Sequence, residues 1–514
     1  MNKPDLKVEQ DNLTAKQGEY AIFLPAISSF YANYVGRQRH SVYVEPTRMP
    51  AGIPDMEQLN WLNPQKGLFP YRWSLYSAGH ANLDLAKFDA REDMIRNRDP
   101  GSVLLADSGG FQIAKGVWPG RWADTTDKNA EKQREKVLKW QMGIADYGMT
   151  MDIPTWTYLD KKAAALCGIH SYDDAVNATQ YNNEYWIANR YGDTKILNVL
   201  QGSNHTEADH WYELMKKYCD PSQYSKHFNG WGMGGQNMCD VHLVLKRLVT
   251  LIHDGLLEPG VHDWMHFLGT SKLEWAVLLT IIQRAIRKHH NPHFTISFDC
   301  ASPFLAVANG QLYHSIVTQD RSKWSYRMSP TADDKKYATD SRTFADAVRQ
   351  DGFHPVWEDS PISARLKISD ICCYRPGDLN KIGKEGRTSW DSFSYALLMG
   401  HSAWMHIEAV QRANRVFDSG AAAPDMLVHD LDPDYDIAPL IGQVFAARDR
   451  HRSLWLIDHY SNRWMDVVGT RGFTGKRAVS ARPQFSVLFD TDGPEAVAEP
   501  ELDQGRLDRL EESQ

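Results

Sequence analysis

The chain has 514 residues, 42% of them hydrophobic and 24% charged, an ordinary globular composition with enough length to bury a large core. A formal net charge of −8 argues against coating nucleic acid through bulk positive charge, and no apolar stretch approaches the roughly 20 residues of a membrane span. The six cysteines, at 167, 219, 239, 300, 372 and 373, form no regular framework, so reduced thiols without disulfides are expected.

Residues 1–19 form a polar arm without an apolar signal core, which points to a soluble, cytoplasmic protein. Between residues 20 and 300, eight segments combine an apolar run with a polar or glycine-rich stop. They are YAIFLPA (20–26), RWSLYSAG (72–79), VLLADSGG (103–110), GMTMDIPT (148–155), ILNVLQGS (196–203), GWGMGGQN (230–237), MHFLGTS (265–271) and FTISFDC (294–300). Helical spacing fills stretches between them, as in residues 130–148, 210–220 and 273–288. Strand and helix alternating in this number predict an α/β fold, a (β/α)8 TIM barrel over residues 20–315. An open doubly wound sheet is the competing architecture, but no GxGxxG phosphate cradle follows the first strand.

Past residue 304 the pattern changes to charged, aromatic and turn-forming residues, read as loops and short strands. Residues 390–418 then give a long amphipathic helix or helix pair, so 316–420 is expected to be an insertion and helices that close the barrel. Residues 421–495 read as a small additional module, with SLWLIDHY (453–460) and FSVLFD (485–490) as candidate strands. Residues 496–514 read as an acidic tail without fixed structure.

Two of the eight segments end on an aspartate at the point where pairing stops: Asp107 in VLLADSGGFQ and Asp299 in FTISFDCASPF. The C-terminal ends of barrel strands are where such folds keep their chemistry. Asp299 read structurally would cap the helix that follows, and the Ser108-Gly109-Gly110 turn would simply bury Phe111.

The paired strings resemble the signatures of the tRNA-guanine transglycosylase family, whose D-C-x-x-P motif stands here as Asp299, Cys300 and Pro303. The resemblance covers roughly residues 20–315 and rests on the order and spacing of several short motifs. It implies a base exchange in which Asp299 attacks the sugar and forms a covalent intermediate, as in retaining glycosidases, while Asp107 is the general acid and base. Ser108, Gly109 and Gly110 would let backbone N–H groups approach the base, and Phe111 would stack on it. Asp152 would accept from the donor edge of a guanine-like ring, Gln201 and the Gly234-Gly235 turn would meet its carbonyl, and Leu268 would cover the other face.

The chain also departs from the family. The family's zinc site has three cysteines and a histidine, whereas this sequence has adjacent Cys372 and Cys373 with His401 and His406 downstream, so zinc is disfavoured and no cofactor is expected. Asp152 is followed by Ile153-Pro154 instead of the usual Glu-Cys, and Phe304-Leu305 stand where the tRNA enzymes carry Thr-Arg. These departures make the chain look closer to the DNA 7-deazaguanine transglycosylases of bacteria and phages. The implied partners are DNA, alternatively tRNA, and a 7-deazaguanine base such as 7-cyano-7-deazaguanine; the resemblance also admits a homodimer and a catalytically silent binding subunit. Two basic stretches are candidate nucleic-acid contacts, Arg284, Arg287 and Lys288 in one and Arg471, Lys476 and Arg477 in the other, and the tryptophans of WPGRW (118–122) are candidates for holding an opened strand. A solvated helix face, an exposed turn and core packing are the corresponding structural readings.

Overall fold

The computed structural model describes residues 18–35, 48–86, 92–330, 334–344, 346, 347, 359–373, 390–465 and 467. All eight expected strands form. They are β1 (Ile22–Pro25), β2 (Trp73–Ser77), β3 (Val103–Asp107), β4 (Tyr147–Met149), β5 (Lys195–Leu200), β6 (Gly230–Met233), β7 (Trp264–Phe267) and β8 (Thr295–Cys300). Their order in one parallel sheet is β1-β8-β7-β6-β5-β4-β3-β2. A parallel bridge between Ala26 and Leu75, with the Ile27 N–H donating to the Leu75 carbonyl at 3.0 Å, brings the two ends together. The result is a nearly closed (β/α)8 barrel.

Strand β6 shows why the interior fits. A Cβ on Gly230 would lie 2.2 Å from the Trp264 carbonyl oxygen, one on Gly232 3.1 Å from Val199, and one on Gly234 2.5 Å from the Gln201 amide. Alternate residues of a strand face one side, so glycine at every second position lets the flanking strands and their side chains close in.

The outer helices begin at polar caps set in the loops that leave the strands. In α1 (Ser29–Tyr34), α2 (Lys128–Ile144), α3 (Tyr172–Asn189), α4 (His205–Met215) and α5 (Val241–His253), the side chains of Ser28, Asp127, Ser171, Asn204 and Asp240 accept N–H groups of the first turn. These caps satisfy otherwise orphaned donors and fix where each rim loop ends. A further outer helix, α6 (Leu273–His289), buries most of its length.

After β8 the chain makes a short helix, α7 (Ser302–Ala308), and an antiparallel hairpin of β9 (Gln311–Val317) and β10 (Ser325–Pro330). The long helical pattern resolves to one helix, α8 (Ser392–Asp418). It packs against α6, α7, α1, β1 and β9, and so takes the place of the outer helix between the last strand and the first. Arg48, paired with the capping Asp391, ties its start to the N-terminal part of the chain.

The described part of the C-terminal region is helical: α9 (Ile437–Ala446), α10 (Arg450–His459) and α11 (Ser461–Met465). The strand expected at SLWLIDHY is therefore a helix. A short apolar run satisfies either period; here Asp449 caps the first turn through the Arg452 N–H at 2.9 Å, and Ser453, Leu456 and Ile457 turn inward where α10 packs on α5. FSVLFD, the acidic tail, the residues before 18 and the basic trio Arg471, Lys476 and Arg477 lie outside the described residues. No helix among the described residues is long and apolar enough to cross a membrane.

Helix α8 carries two histidines into the interior. His401 donates from Nε2 to the Tyr313 carbonyl at 2.7 Å, which leaves Nδ1 to accept from the Ser360 hydroxyl at 2.7 Å. His406 is stacked on Phe23, with centroids 4.2 Å apart, and on Tyr326 at 4.5 Å, and its Nε2 lies 3.0 Å from the Tyr326 hydroxyl. Burial holds both rings neutral, pushing His401 down to about 4 and His406 down to about 3. A histidine whose folded pKa is depressed stabilises the fold above its unfolded value of about 6.5 and loses that contribution as pH falls toward the folded value. His406→Phe should therefore gain stability relative to the parent by about 2 kcal/mol between pH 7.5 and pH 5, measured as the difference between their urea unfolding free energies; a gap independent of pH would show that His406 is not buried neutral.

Candidate active site at the barrel rim

Asp107 closes β3 and Asp299 is the penultimate residue of β8, so both stand at the C-terminal rim. The register sets Ser77 of β2 beside Asp107, and the Ser77 hydroxyl donates to Asp107 Oδ2 at 2.6 Å. Burial raises the Asp107 carboxyl above the usual range, opposed by the Ser77 hydrogen bond, and the charge of Asp299 raises it further. The two aspartates are thus near enough for the charge of one to act on the other.

The turn after Asp107 is built from residues that leave room. Gly109 is left-handed, with φ of 78°, and a Cβ there would sit 2.4 Å from the Trp118 ring. A Cβ on Gly110 would sit 2.7 Å from the Asp152 carbonyl oxygen, so this turn lies directly against the loop after β4. Ser108 is buried, and its hydroxyl has no hydrogen-bond partner among the described residues. Phe111 is 48% exposed, a large apolar ring left open at the rim. Lys115 Nζ stands 4.5 Å from its centroid and the Trp156 ring 5.7 Å away.

Asp152 is buried and accepts from Gln201 Nε2 at 2.7 Å. Burial pushes its carboxyl up to about 7, the Gln201 hydrogen bond opposes this, and the charge of Asp107 adds to it. Gly235 has φ of 55°, and a Cβ on it would meet the Gly202 carbonyl oxygen at 2.5 Å. The turn after β6 is thereby pressed onto the Gln201-Gly202 turn after β5. Leu268 is half-buried, and its N–H donates to the Met233 carbonyl at 3.2 Å.

Asp299 is held through one oxygen. The Gly269 N–H donates to Oδ1 at 2.9 Å, and His266 Nε2 lies 3.1 Å from the same atom. Ser77 and His266 were not among the residues singled out from the sequence. Both occupy strand positions two residues short of a rim motif or at its edge, and the period-2 alternation of a barrel strand is the signal that would have found them.

The basic residues on α6 are not brought to this rim. Arg284 makes a two-pronged ion pair with Asp418 at 2.7 and 2.9 Å. Arg287 donates to the carbonyls of Phe294 and Gly18 at 2.5 and 2.6 Å, beside the start of β8 and hence at the opposite end of the barrel. Lys288 is exposed at that same far end. The tryptophans of WPGRW are likewise structural: Trp122 is fully buried with Arg134 over its ring at 5.4 Å, and Trp118 packs at Gly109. Phe304, where the tRNA enzymes carry a polar residue, is buried against Tyr31 and Trp61.

The residues in the place of the family's zinc ligands do not fit a metal. Both nitrogens of His401 are engaged, His406 is sandwiched between aromatic rings, and the Cys372 thiol donates to the Asp334 carbonyl at 3.2 Å. Among the described residues no group of three or more His, Cys, Asp or Glu side chains could hold an ion.

No protein-family model and no curated protein matches this chain.

Asp152 gives a direct test of the rim electrostatics. Its raised pKa means that the ionised form is disfavoured by folding, so its contribution to stability falls as pH rises from the unfolded value near 4 through 7. Carboxyl-carbon NMR of 13C-labelled aspartate should show one side chain titrating near 7 and lacking in Asp152→Asn; a spectrum with every aspartate titrating below 5 would contradict the burial of this group.

Proposed function

We propose that the chain is a pentosyltransferase that exchanges a guanine of a polynucleotide for a 7-deazaguanine base, as expected for the tRNA-guanine transglycosylase family. The observation that carries the reading is the pairing of two unlike carboxylates across one barrel mouth. Asp107 is kept prone to hold a proton by burial and by the charge of Asp299, whereas Asp299 receives N–H donors on one oxygen. An acid and a nucleophile separated by environment is what a retaining displacement at a sugar carbon needs.

In the first step Asp299 bonds to the anomeric carbon as the glycosidic C–N bond breaks, its electron pair passing to the leaving base, which takes a proton from Asp107. In the second, Asp107 receives a proton from the incoming base, whose nitrogen bonds to the anomeric carbon as the ester to Asp299 breaks. Asp152 and Gln201 present a buried polar pair beside this space, suited to the edge of a heterocycle, and the open ring of Phe111 offers a stacking face. A residue on a duplex would have to be flipped out of its stack to reach the rim, at a cost of a few kcal/mol.

DNA is favoured over tRNA because Leu305, an uncharged side chain, stands in the place of the family's RNA-holding arginine, and because adjacent Cys372 and Cys373 stand where the family carries a three-cysteine zinc motif. Incubation of the protein with labelled guanine and either polynucleotide should place label in DNA, and Asp299→Ala should abolish incorporation while leaving the melting temperature within a few degrees. Label that enters tRNA alone would reverse the preference, and full turnover by Asp299→Ala would remove the mechanism.

A further inference from the structure

Beneath the rim, β7 and β8 carry a row of polar side chains in a barrel interior that is otherwise apolar. Trp264 Nε1 donates to Ser297 Oγ at 2.7 Å, Ser297 Oγ lies 2.9 Å from His266 Nδ1, and His266 Nε2 lies 3.1 Å from Asp299 Oδ1. His266 and Ser297 are fully buried and Trp264 nearly so. The direction of each bond follows from chemistry. Indole nitrogen only donates, and an ionised carboxylate only accepts. Nε2 of His266 must therefore carry the proton that faces Asp299, and in the neutral imidazole Nδ1 must accept, which the Ser297 hydroxyl satisfies while its oxygen takes the Trp264 N–H.

This row reaches only one oxygen of Asp299. Oδ1 takes both His266 and the Gly269 N–H, while Oδ2 has no hydrogen-bond donor among the described residues. We propose that His266 is a positioning residue that, through the Trp264-Ser297 relay, fixes Oδ1 as the bound oxygen and Oδ2 as the attacking one. The inference deepens the base-exchange reading and rests on it.

The consequence differs between the two chemical steps. When Oδ2 bonds to the anomeric carbon and the C–N bond breaks, Asp299 becomes a neutral ester with Oδ1 as its carbonyl oxygen, and the hydrogen bond from His266 weakens. When the C–O bond breaks in the second step, its electron pair returns to Asp299 and negative charge reappears on the carboxylate. A donor already aimed at Oδ1 stabilises that charge as it develops. His266 therefore favours release of the sugar from the enzyme, and its loss should trap the covalent state.

The test compares the full-length parent with His266→Leu, which removes the donor, His266→Gln, which keeps an N–H, and Ser297→Ala, which leaves the imidazole in place without its hydroxyl partner. Labelled guanine exchange into DNA and the fraction of denaturation-resistant protein–DNA adduct are measured together. His266→Leu is expected to lower exchange by roughly ten- to a hundred-fold, the worth of a hydrogen bond to a charged group, while raising the adduct fraction. His266→Gln should recover part of both, and Ser297→Ala should shift both in the direction of His266→Leu by less. A structural role alone would lower adduct and exchange together, with Gln no better than Leu, and that result would overturn the inference.

A readout without substrate separates this inference from the reading beneath it. Imidazole 15N NMR of the parent, assigned by difference with His266→Gln, should show Nε2 protonated and Nδ1 bare; protonation at Nδ1 with bare Nε2 would overturn the positioning role whatever the activity. A parent that shows the expected tautomer yet forms no adduct with DNA or tRNA would instead sink the base-exchange reading.

Discussion

Three carboxylates, of Asp107, Asp152 and Asp299, stand at the mouth of the barrel, two partly buried and one buried, and such a place does not readily hold three negative charges. Burial raises Asp107 and Asp152, and each is raised further by a neighbouring aspartate, Asp107 by Asp299 and Asp152 by Asp107. The molecule meets this constraint by giving the three groups different partners. Asp299 faces the His266 imidazole and the Gly269 N–H, Asp107 a serine hydroxyl, and Asp152 a glutamine amide. One group is supplied with the donors that a charged carboxylate wants, and the other two are left where a proton is welcome.

The division depends on a scaffold that does not yield. Alternate glycines on β6 let β5 and β7 approach it closely, and the positive-φ glycines at 109 and 235 hold the rim turns where any side chain would collide with a neighbour. The row from Trp264 through Ser297 to His266 adds a polar strut inside the barrel, in which each donor has one acceptor. Shifts at the base of β7 would thus be felt at the Asp299 carboxylate.

Closure of the barrel from outside is the work of α8. Two neutral buried histidines on that helix hold it to its neighbours, one hydrogen-bonded at both nitrogens and one stacked between Phe23 and Tyr326. Together they join β1 and the β9-β10 hairpin to α8. The arrangement makes the fold sensitive to acid, because a buried imidazole resists the proton that an unfolded one takes up.

How much of this could be read in advance varies with the range of the interactions. The eight strands and the rim positions of Asp107, Asp152, Gln201 and Asp299 were legible, since strand period, turn glycines and the residue at which pairing stops are local properties of the chain. SLWLIDHY misled because a four-residue apolar run fits either period, and the Asp449 cap together with burial against α5 decided it. Arg284 and Arg287 read as a basic face, yet their guanidinium groups were already spoken for by Asp418 and by backbone carbonyls distant in sequence. Trp118 and Trp122 could be read either as aromatics that hold an opened strand or as core packing, and they are buried. By itself, then, the order of residues determined the barrel and which side chains arrive at its rim. Only the tertiary structure decided which oxygen of Asp299 is bound, which carboxyls are pushed toward holding a proton and which cations are free, because burial, coulombic neighbours and hydrogen-bond partners are set by strands and helices that meet only when the ring closes.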